Sequence, residues 1–176
     1  PPSLYARVGS RAIDHSLTTH PPRFNPNPHT QTPPYTPKTV DVNCKGVLNG
    51  IGAVLPGMLE RKLGHIVSIS SDAGRKVFPG LAVYSASKFF VEAVSQGLRL
   101  ETVGSGVKVT TIQPGNVATD LASASTDEEA MKAYGEPSGA KVLDTEDVAR
   151  AVMYAITQPA HVAVNEIMVE PRDEPC

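Results

Sequence analysis

The chain has 176 residues, 40% of them hydrophobic, which is enough for one domain with a sizeable core. Sixteen basic and eighteen acidic residues give a net charge of −2 without a basic block, which argues against nucleic acid as a partner. The two cysteines form neither a disulfide framework nor a zinc pattern, and no apolar run reaches the ~18 residues of a membrane span, so we expect a cytoplasmic protein without a metal site.

The first 37 residues differ in composition from the rest. They hold nine of the sixteen prolines and one acidic residue, and their apolar residues follow neither strand nor helix periodicity. Such a segment cannot bury enough apolar surface to offset the entropy lost on ordering. We therefore predict that residues 1–37 are disordered or foreign to the domain that follows, with a proline-rich ligand at Pro34–Pro37 as the alternative. The initial proline suggests a fragment or a processed chain.

A long helix is predicted next. Apolar residues recur at steps of three and four between Val40 and Lys62, and Pro56 can kink the helix. Asn43 lies near its start, where an asparagine side chain can cap the first turn.

Three glycines inside this helix, Gly46, Gly50 and Gly52, have the spacing of a nucleotide-binding turn. Only 38 residues separate Gly46 from Tyr84, which is too few for several strand-helix-strand units of ~30 residues each. We therefore reject the nucleotide-binding interpretation and predict that the glycines let a neighbouring element approach closely.

Apolar runs rich in β-branched residues predict buried strands at Gly64–Ser71, Val107–Ile112 and Val164–Val169. Long helical patterns alternate with these strands. The alternation predicts an α/β fold with a parallel sheet.

The clearest helix is predicted over Tyr84–Thr102. Its polar residues fall on one narrow stripe and apolar residues cover most of the remaining circumference; the stripe consists of Lys88, Glu92, Ser95, Gln96 and Arg99. A helix apolar over so wide an arc is usually covered on two sides. We therefore expect a homodimer or homotetramer in which a partner subunit covers one side.

The C-terminal third begins with a small, polar, acidic stretch from Asp120 to Lys141, which we predict to be a mobile segment covering a site. Asp144 can then cap a helix whose first turn carries Glu146 and Asp147, and Pro159 ends that helix.

Candidate catalytic side chains surround Tyr84. Tyr84 and Lys88 stand four residues apart in the predicted helix, so they share a face, and a neighbouring ammonium should lower the pKa of the phenol. Ser71 and Pro114-Gly115 follow two predicted strands, at the carboxyl ends where ligands bind in open α/β sheets. The pattern predicts proton transfer to or from a bound oxygen.

These motifs together resemble those of the classical short-chain dehydrogenases/reductases. The resemblance runs from about Lys38 to Arg172 and rests on four motifs in matching order and spacing: Asn43, Ser71, Tyr84 with Lys88, and Pro114-Gly115-Asn116-Val117-Ala118-Thr119. It implies a Rossmann-like, doubly wound parallel sheet, truncated here at its first strands, because the family's glycine-rich turn has no counterpart before Lys38. Residues 38–176 would then be the C-terminal portion of the catalytic domain.

The resemblance implies hydride transfer between NAD(P)(H) and a secondary alcohol or carbonyl substrate. Tyr84 would exchange the proton, Ser71 would hold the substrate oxygen, Lys88 would lower the pKa of Tyr84 and contact the nicotinamide ribose, and the backbone carbonyl of Asn43 would hold a relay water. The residues implied to contact the cofactor are Tyr84, Lys88, Pro114, Gly115, Val117 and Thr119. No metal is required.

The last strand resembles members that act on small hydroxy acids such as serine or 3-hydroxy acids. Those members tend to use NADP, so NADP(H) is the expected cofactor and NAD(H) the alternative.

Two other functions compete with this one. A catalytically inactive remnant would retain the oligomerising helix as an interaction module, which the missing glycine turn favours and the complete Asn43, Ser71, Tyr84 and Lys88 set opposes. A nucleotide-sugar epimerase of the extended branch also uses a tyrosine-lysine pair, but the classical sequence after Pro114 opposes it.

Overall fold

The computed structural model of the chain describes residues 38–120 and 141–174. The predictions for residues 1–37, and nearly all of the predicted covering segment 120–141, lie outside the described residues.

The first described element is helical. Val40–Lys45 forms a π-helical turn, in which the N–H of Gly46 donates to the carbonyl of Asp41, and α1 follows over Gly46–Arg61 with Pro56 inside it. The predicted helix is thus confirmed. Asn43 lies within the π turn, after helical conformation has begun, and its side chain makes no cap, so the capping interpretation is wrong.

The glycines of α1 have right-handed helical neighbours on both sides, which confirms that they form no nucleotide-binding turn. The packing role predicted for them is wrong for the described residues, because a Cβ atom at Gly50 or Gly52 would meet no atom within 4 Å.

Three parallel strands form the sheet. They are β1 (Gly64–Ile69), β2 (Val107–Pro114) and β3 (Glu166–Val169), in the order β1-β2-β3. Helix α2 (Ala82–Glu101) connects β1 to β2, and α3 (Thr145–Ile156) lies between β2 and β3 in the chain. The fold is the predicted Rossmann-like α/β arrangement.

Helices cover both faces of the sheet. On one face, Ile66 of β1 and Val109 of β2 pack with Leu98 of α2, and partly buried side chains of α1 pack against them. Side chains alternate along a strand, so Lys108 points to the other face, where its ammonium donates to carbonyls of Gln158 and Val162 just after α3. The sheet is therefore doubly wound.

Helix α2 buries part of the predicted polar stripe. Glu92 and Ser95 are buried, and Glu92 accepts a hydrogen bond of 3.1 Å from Thr111 of β2. Part of the apolar surface faces outward, with Phe89 40% and Leu100 73% exposed, whereas Val91 and Leu98 are buried. The periodicity did not show which residues of the helix the sheet covers.

Helix α3 starts as predicted. Asp144 is its N-cap residue, and its backbone N–H donates to the Asp147 carboxylate at 2.8 Å. This hydrogen bond is the main cause that lowers the pKa of Asp147. Among the described helices, none is both long and apolar enough to cross a membrane.

The fully buried Ile112 provides a test of the core. Ile112 in β2 is directly paired with Ile69 in β1, yet their exposed fractions are 0% and 49%. Ile112→Val should lower the free energy of unfolding by about 1 kcal/mol, because a deleted buried methylene leaves a small cavity. Ile69→Val is the matched control and should change it by less than about 0.5 kcal/mol. Urea unfolding of both variants measures the difference, and equal losses would contradict this assignment of the core.

Candidate functional site

The candidate site lies where neighbouring strands end. Because β1 and β2 run parallel, their carboxyl ends meet at one edge of the sheet. Ser71 follows the end of β1 by two residues and Gly115 follows the end of β2 by one. The start of α2 brings Tyr84 to Ser71.

Ser71 is almost fully buried at the start of a short 3₁₀ turn, Asp72–Gly74. Its hydroxyl oxygen accepts a hydrogen bond from the N–H of Ala73 at 3.1 Å and its proton is donated to the Asp72 carboxylate at 2.7 Å. The turn therefore fixes the position of the hydroxyl.

Tyr84 is half-buried in the first turn of α2. Burial raises the pKa of Tyr84, the nearby Ser71 hydroxyl opposes this rise, and the negative charge of Asp72 adds to it. The predicted lowering of the Tyr84 pKa by Lys88 is wrong for this structure, because desolvation of the phenolate dominates.

Lys88 lies against the face of the tyrosine ring, with its ammonium 5.6 Å from the ring centroid. The ammonium also donates to the carbonyl of Ile69, at the last residue of β1, at 3.1 Å. Burial lowers the pKa of Lys88, while the charge of Glu92 one turn along α2 raises it. The ammonium is thus held at the strand end beside Tyr84.

Asn43 is connected to the site through Ser87. Its side-chain amide donates to the Ser87 hydroxyl at 3.0 Å, and that hydroxyl donates to the backbone carbonyl of Tyr84 at 2.7 Å. The π turn around Asn43 is therefore bound to the first turn of α2. Sequence reasoning missed Ser87, although it lies between Tyr84 and Lys88.

The Pro114–Thr119 segment lies at the neighbouring strand end. The N–H of Gly115 donates to Val169 of β3 at 2.8 Å, and a Cβ atom at Gly115 would lie 3.1 Å from Pro171. Val117 forms a bridge with Leu143. The segment is fixed by β3 and by the chain before α3.

Sequence reasoning also missed Asp72. Its carboxylate binds the Ser71 hydroxyl and the N–H of Ala73, both at 2.7 Å. Its position directly after Ser71 at a strand end was the available signal. Within residues 38–120 and 141–174, no cluster of three His, Cys, Asp or Glu side chains is placed to hold a metal ion.

Known proteins resemble most of this chain. The sequence of a glycine betaine reductase from Emericella nidulans is 69% identical over 138 residues, which cover 78% of this chain and 11% of that protein. An uncharacterized oxidoreductase of Staphylococcus aureus is 46% identical over 132 residues, covering 75% of this chain and 53% of the relative. The chain thus spans about half the length of the oxidoreductase and a much smaller share of the length of the reductase.

Solved structures agree with the sequence relatives. The closed form of a serine dehydrogenase complexed with NADP⁺ superposes with a TM-score of 0.77 and 37% identity, covering 85% of this chain and 60% of that one. Serine dehydrogenase from Escherichia coli gives a TM-score of 0.69 and 34% identity, with 85% and 59% covered.

A family model described as short chain dehydrogenase matches residues 24–130. The match begins inside the segment 1–37, so a domain boundary at residue 37 stays a prediction. Because the family match covers more than half of the chain and the fold agrees with it, the chain belongs to the short-chain dehydrogenase family.

Proposed function

We propose that this chain carries the catalytic end of an NADP(H)-dependent oxidoreductase that interconverts a carbonyl compound and its alcohol. The observation that supports this most is the meeting of Ser71, Tyr84 and Lys88 at the end of β1. Because the chain spans about half of its bacterial relative, we assign residues 38–176 to the C-terminal portion of a larger catalytic domain, with 1–37 outside it.

The side chains present fit the nicotinamide end of the cofactor. Lys88 offers a half-buried cation for ribose hydroxyls. The segment that follows β2 would contribute the backbone of Pro114, Gly115 and Val117 and the Thr119 hydroxyl. The cofactor supplies the hydride when bound. NADP(H) is favoured because structural relatives are described with NADP⁺, and NAD(H) is the alternative.

Each residue of the site has a separate role in carbonyl reduction. Negative charge develops on the substrate oxygen during carbonyl reduction, and Tyr84 removes it by donating its phenolic proton. Ser71 holds that oxygen by a hydrogen bond. Lys88 orients the cofactor ribose, and Asn43 fixes the first turn of α2 through Ser87.

The names of two relatives suggest a substrate with a positively charged nitrogen. Serine has an ammonium on the carbon next to its hydroxyl-bearing carbon, and glycine betaine has a trimethylammonium on the carbon next to its carboxyl group. Tyr84 and Ser71 can protonate a carbonyl oxygen but offer no means to activate a carboxylate. We therefore propose a small aldehyde or alcohol with a cationic nitrogen on the adjacent carbon.

A homodimer or homotetramer is part of the proposal. The outward side of α2 exposes Phe89 and Leu100, and large apolar side chains that face water favour association.

Titration with NADPH and NADH, followed by nicotinamide fluorescence, tests the proposal. We expect saturable binding, tighter for NADPH. The complex should then reduce betaine aldehyde with a higher kcat/KM than 3,3-dimethylbutanal, which has the same shape without the charge.

Failure to bind either cofactor by a folded chain would overturn the enzymatic proposal and favour the inactive interaction module. Equal kcat/KM for the two aldehydes would overturn the substrate class alone, since catalysis itself would still be observed.

A further inference from the structure

The 3₁₀ turn Asp72–Gly74 packs directly on the backbone of α2. Gly74 is buried, and a Cβ atom there would lie 2.8 Å from the hydroxyl oxygen of Ser70 and 3.2 Å from the carbonyl oxygen of Lys88. The Cγ atom of Glu92, one turn farther along α2, would also be 3.2 Å away. Non-bonded heavy atoms normally stay about 3.5–4.0 Å apart. The structure therefore leaves no room for a methyl group between the turn and the helix.

This close approach, and not the backbone conformation, is what requires a glycine at residue 74. The described glycines with positive φ are Gly80, Gly104 and Gly106, so Gly74 has a backbone that an alanine can adopt. Gly97 of α2 is the opposite case, since a Cβ atom there would meet nothing within 4 Å. The lack of space around the missing side chain is thus what distinguishes Gly74.

The two sides of this contact carry the groups of the candidate site. On one side, the N–H of Gly74 donates to the carbonyl of Ser71 at 2.9 Å, so the turn is closed on itself. On the other side, the carbonyl oxygen of Lys88 lies next to Gly74, and Tyr84 precedes Lys88 by one helical turn. The separation of the turn from the helix therefore sets the separation of Ser71 from Tyr84 and Lys88.

We propose that Gly74 is a positioning residue for carbonyl reduction, because its missing side chain lets the turn pack on α2 at the distance at which Ser71 and Tyr84 both reach the substrate oxygen. This rests on the proposed function, in which Ser71 holds that oxygen and Tyr84 protonates it. A methyl group at residue 74 would force the turn and the helix apart by a few tenths of an ångström or more. A displacement of about 1 Å between groups that must be aligned lowers a reaction rate by about 10²-fold.

Ser70 offers a way to relieve this collision without changing Ser71 or α2. Its hydroxyl oxygen is the atom nearest to the added methyl group. Ser70 is only 3% exposed, and within the described part of the chain its hydroxyl has no hydrogen-bond partner. Its backbone N–H donates to Ile112 of β2 at 2.7 Å, and an alanine keeps that bond. Ser70→Ala should therefore fold, because it leaves no polar group without its partner.

Steady-state reduction of betaine aldehyde by NADPH tests the proposal. Gly74→Ala should lower kcat by about 10- to 100-fold, with a smaller change in KM, because the displaced groups act on the transition state. Ser70→Ala and the matched control Gly97→Ala should each keep kcat within about twofold. The double variant Ser70→Ala/Gly74→Ala should have a kcat between those of its two single variants, because the 2.8 Å contact is removed and the 3.2 Å contact with the Lys88 carbonyl remains.

Two results would overturn the proposal. One is a folded Gly74→Ala protein that keeps the kcat of the unsubstituted protein, since a merely structural role would lower only the thermal unfolding temperature. The other is a double variant that recovers no activity, because the loss would then not arise from this contact. If Gly74→Ala does not fold, the comparison of the double variant with Ser70→Ala decides, and equal kcat values would contradict the positioning role.

A readout without turnover separates this inference from the proposed function. Crystal structures of the unsubstituted and Gly74→Ala proteins should show a longer distance between the side-chain oxygen atoms of Ser71 and Tyr84 in the variant. An unchanged distance would overturn the role of Gly74. Absence of carbonyl reduction in the unsubstituted protein would instead overturn the proposed function, while the measured distance would still decide whether Gly74 sets the spacing.

Discussion

Tyr84→Phe should lower kcat for carbonyl reduction by about 10²- to 10⁴-fold, the usual contribution of a positioned general acid. The substitution removes one oxygen, so the aromatic ring that packs against the Lys88 ammonium is kept. The loss should therefore appear in kcat, with little change in NADPH affinity or in thermal unfolding. Steady-state kinetics and a cofactor titration on the same sample measure both.

Tyr154→Phe is the matched control. Tyr154 lies on α3 and is 58% exposed, so removal of its hydroxyl should leave kcat within about twofold. If Tyr84→Phe kept more than a tenth of the activity, the phenol could not be the main proton donor, and the proposed role of Tyr84 would be wrong.

The parts of the fold that depend on local pattern could be predicted from the sequence. Buried apolar runs located β1 and β2 to within two residues at each end, and the Asp144 cap located the start of α3. These signals are local, since a strand or a cap is specified by neighbouring residues.

The predictions that failed concern properties that depend on burial in the tertiary structure. The sequence predicted an apolar arc of α2 covered by the sheet and a partner, yet the polar Glu92 is also buried, where it accepts a hydrogen bond from Thr111 of a strand distant in sequence. The pKa of Tyr84 was expected to fall because Lys88 is close in sequence, whereas burial, which the sequence does not reveal, raises it. Spacing predicts which groups meet and leaves open how much water remains around them.

The second large effect is expected on stability, at the turn that leads into β2. Gly106 has a φ of +79° and lies over the C-terminal end of α1, where an added Cβ atom would be 2.0 Å from the carbonyl oxygen of Lys62. Gly106→Ala should therefore lower the free energy of unfolding by about 2–5 kcal/mol, from left-handed backbone strain of about 1–2 kcal/mol plus the cost of displacing Lys62. Urea unfolding with an unchanged m-value measures it.

The substitution Gly104→Ala separates backbone strain from steric collision. It has nearly the same φ, +77°, in the same turn, but a Cβ atom there would meet nothing within 4 Å, so Gly104→Ala should cost only the strain of about 1–2 kcal/mol. Any loss of stability at Gly106 beyond that at Gly104 would report the contact between Gly106 and Lys62. This contact sets the start of the sheet, because Gly64 and Val107, which follow it along the two strands, are the first pair of β1 and β2. Equal losses at the two glycines would mean that Lys62 yields freely. In that case the parallel register that brings the ends of β1 and β2 together at Ser71 and Pro114 would have to be set by the buried side chains of the strands themselves.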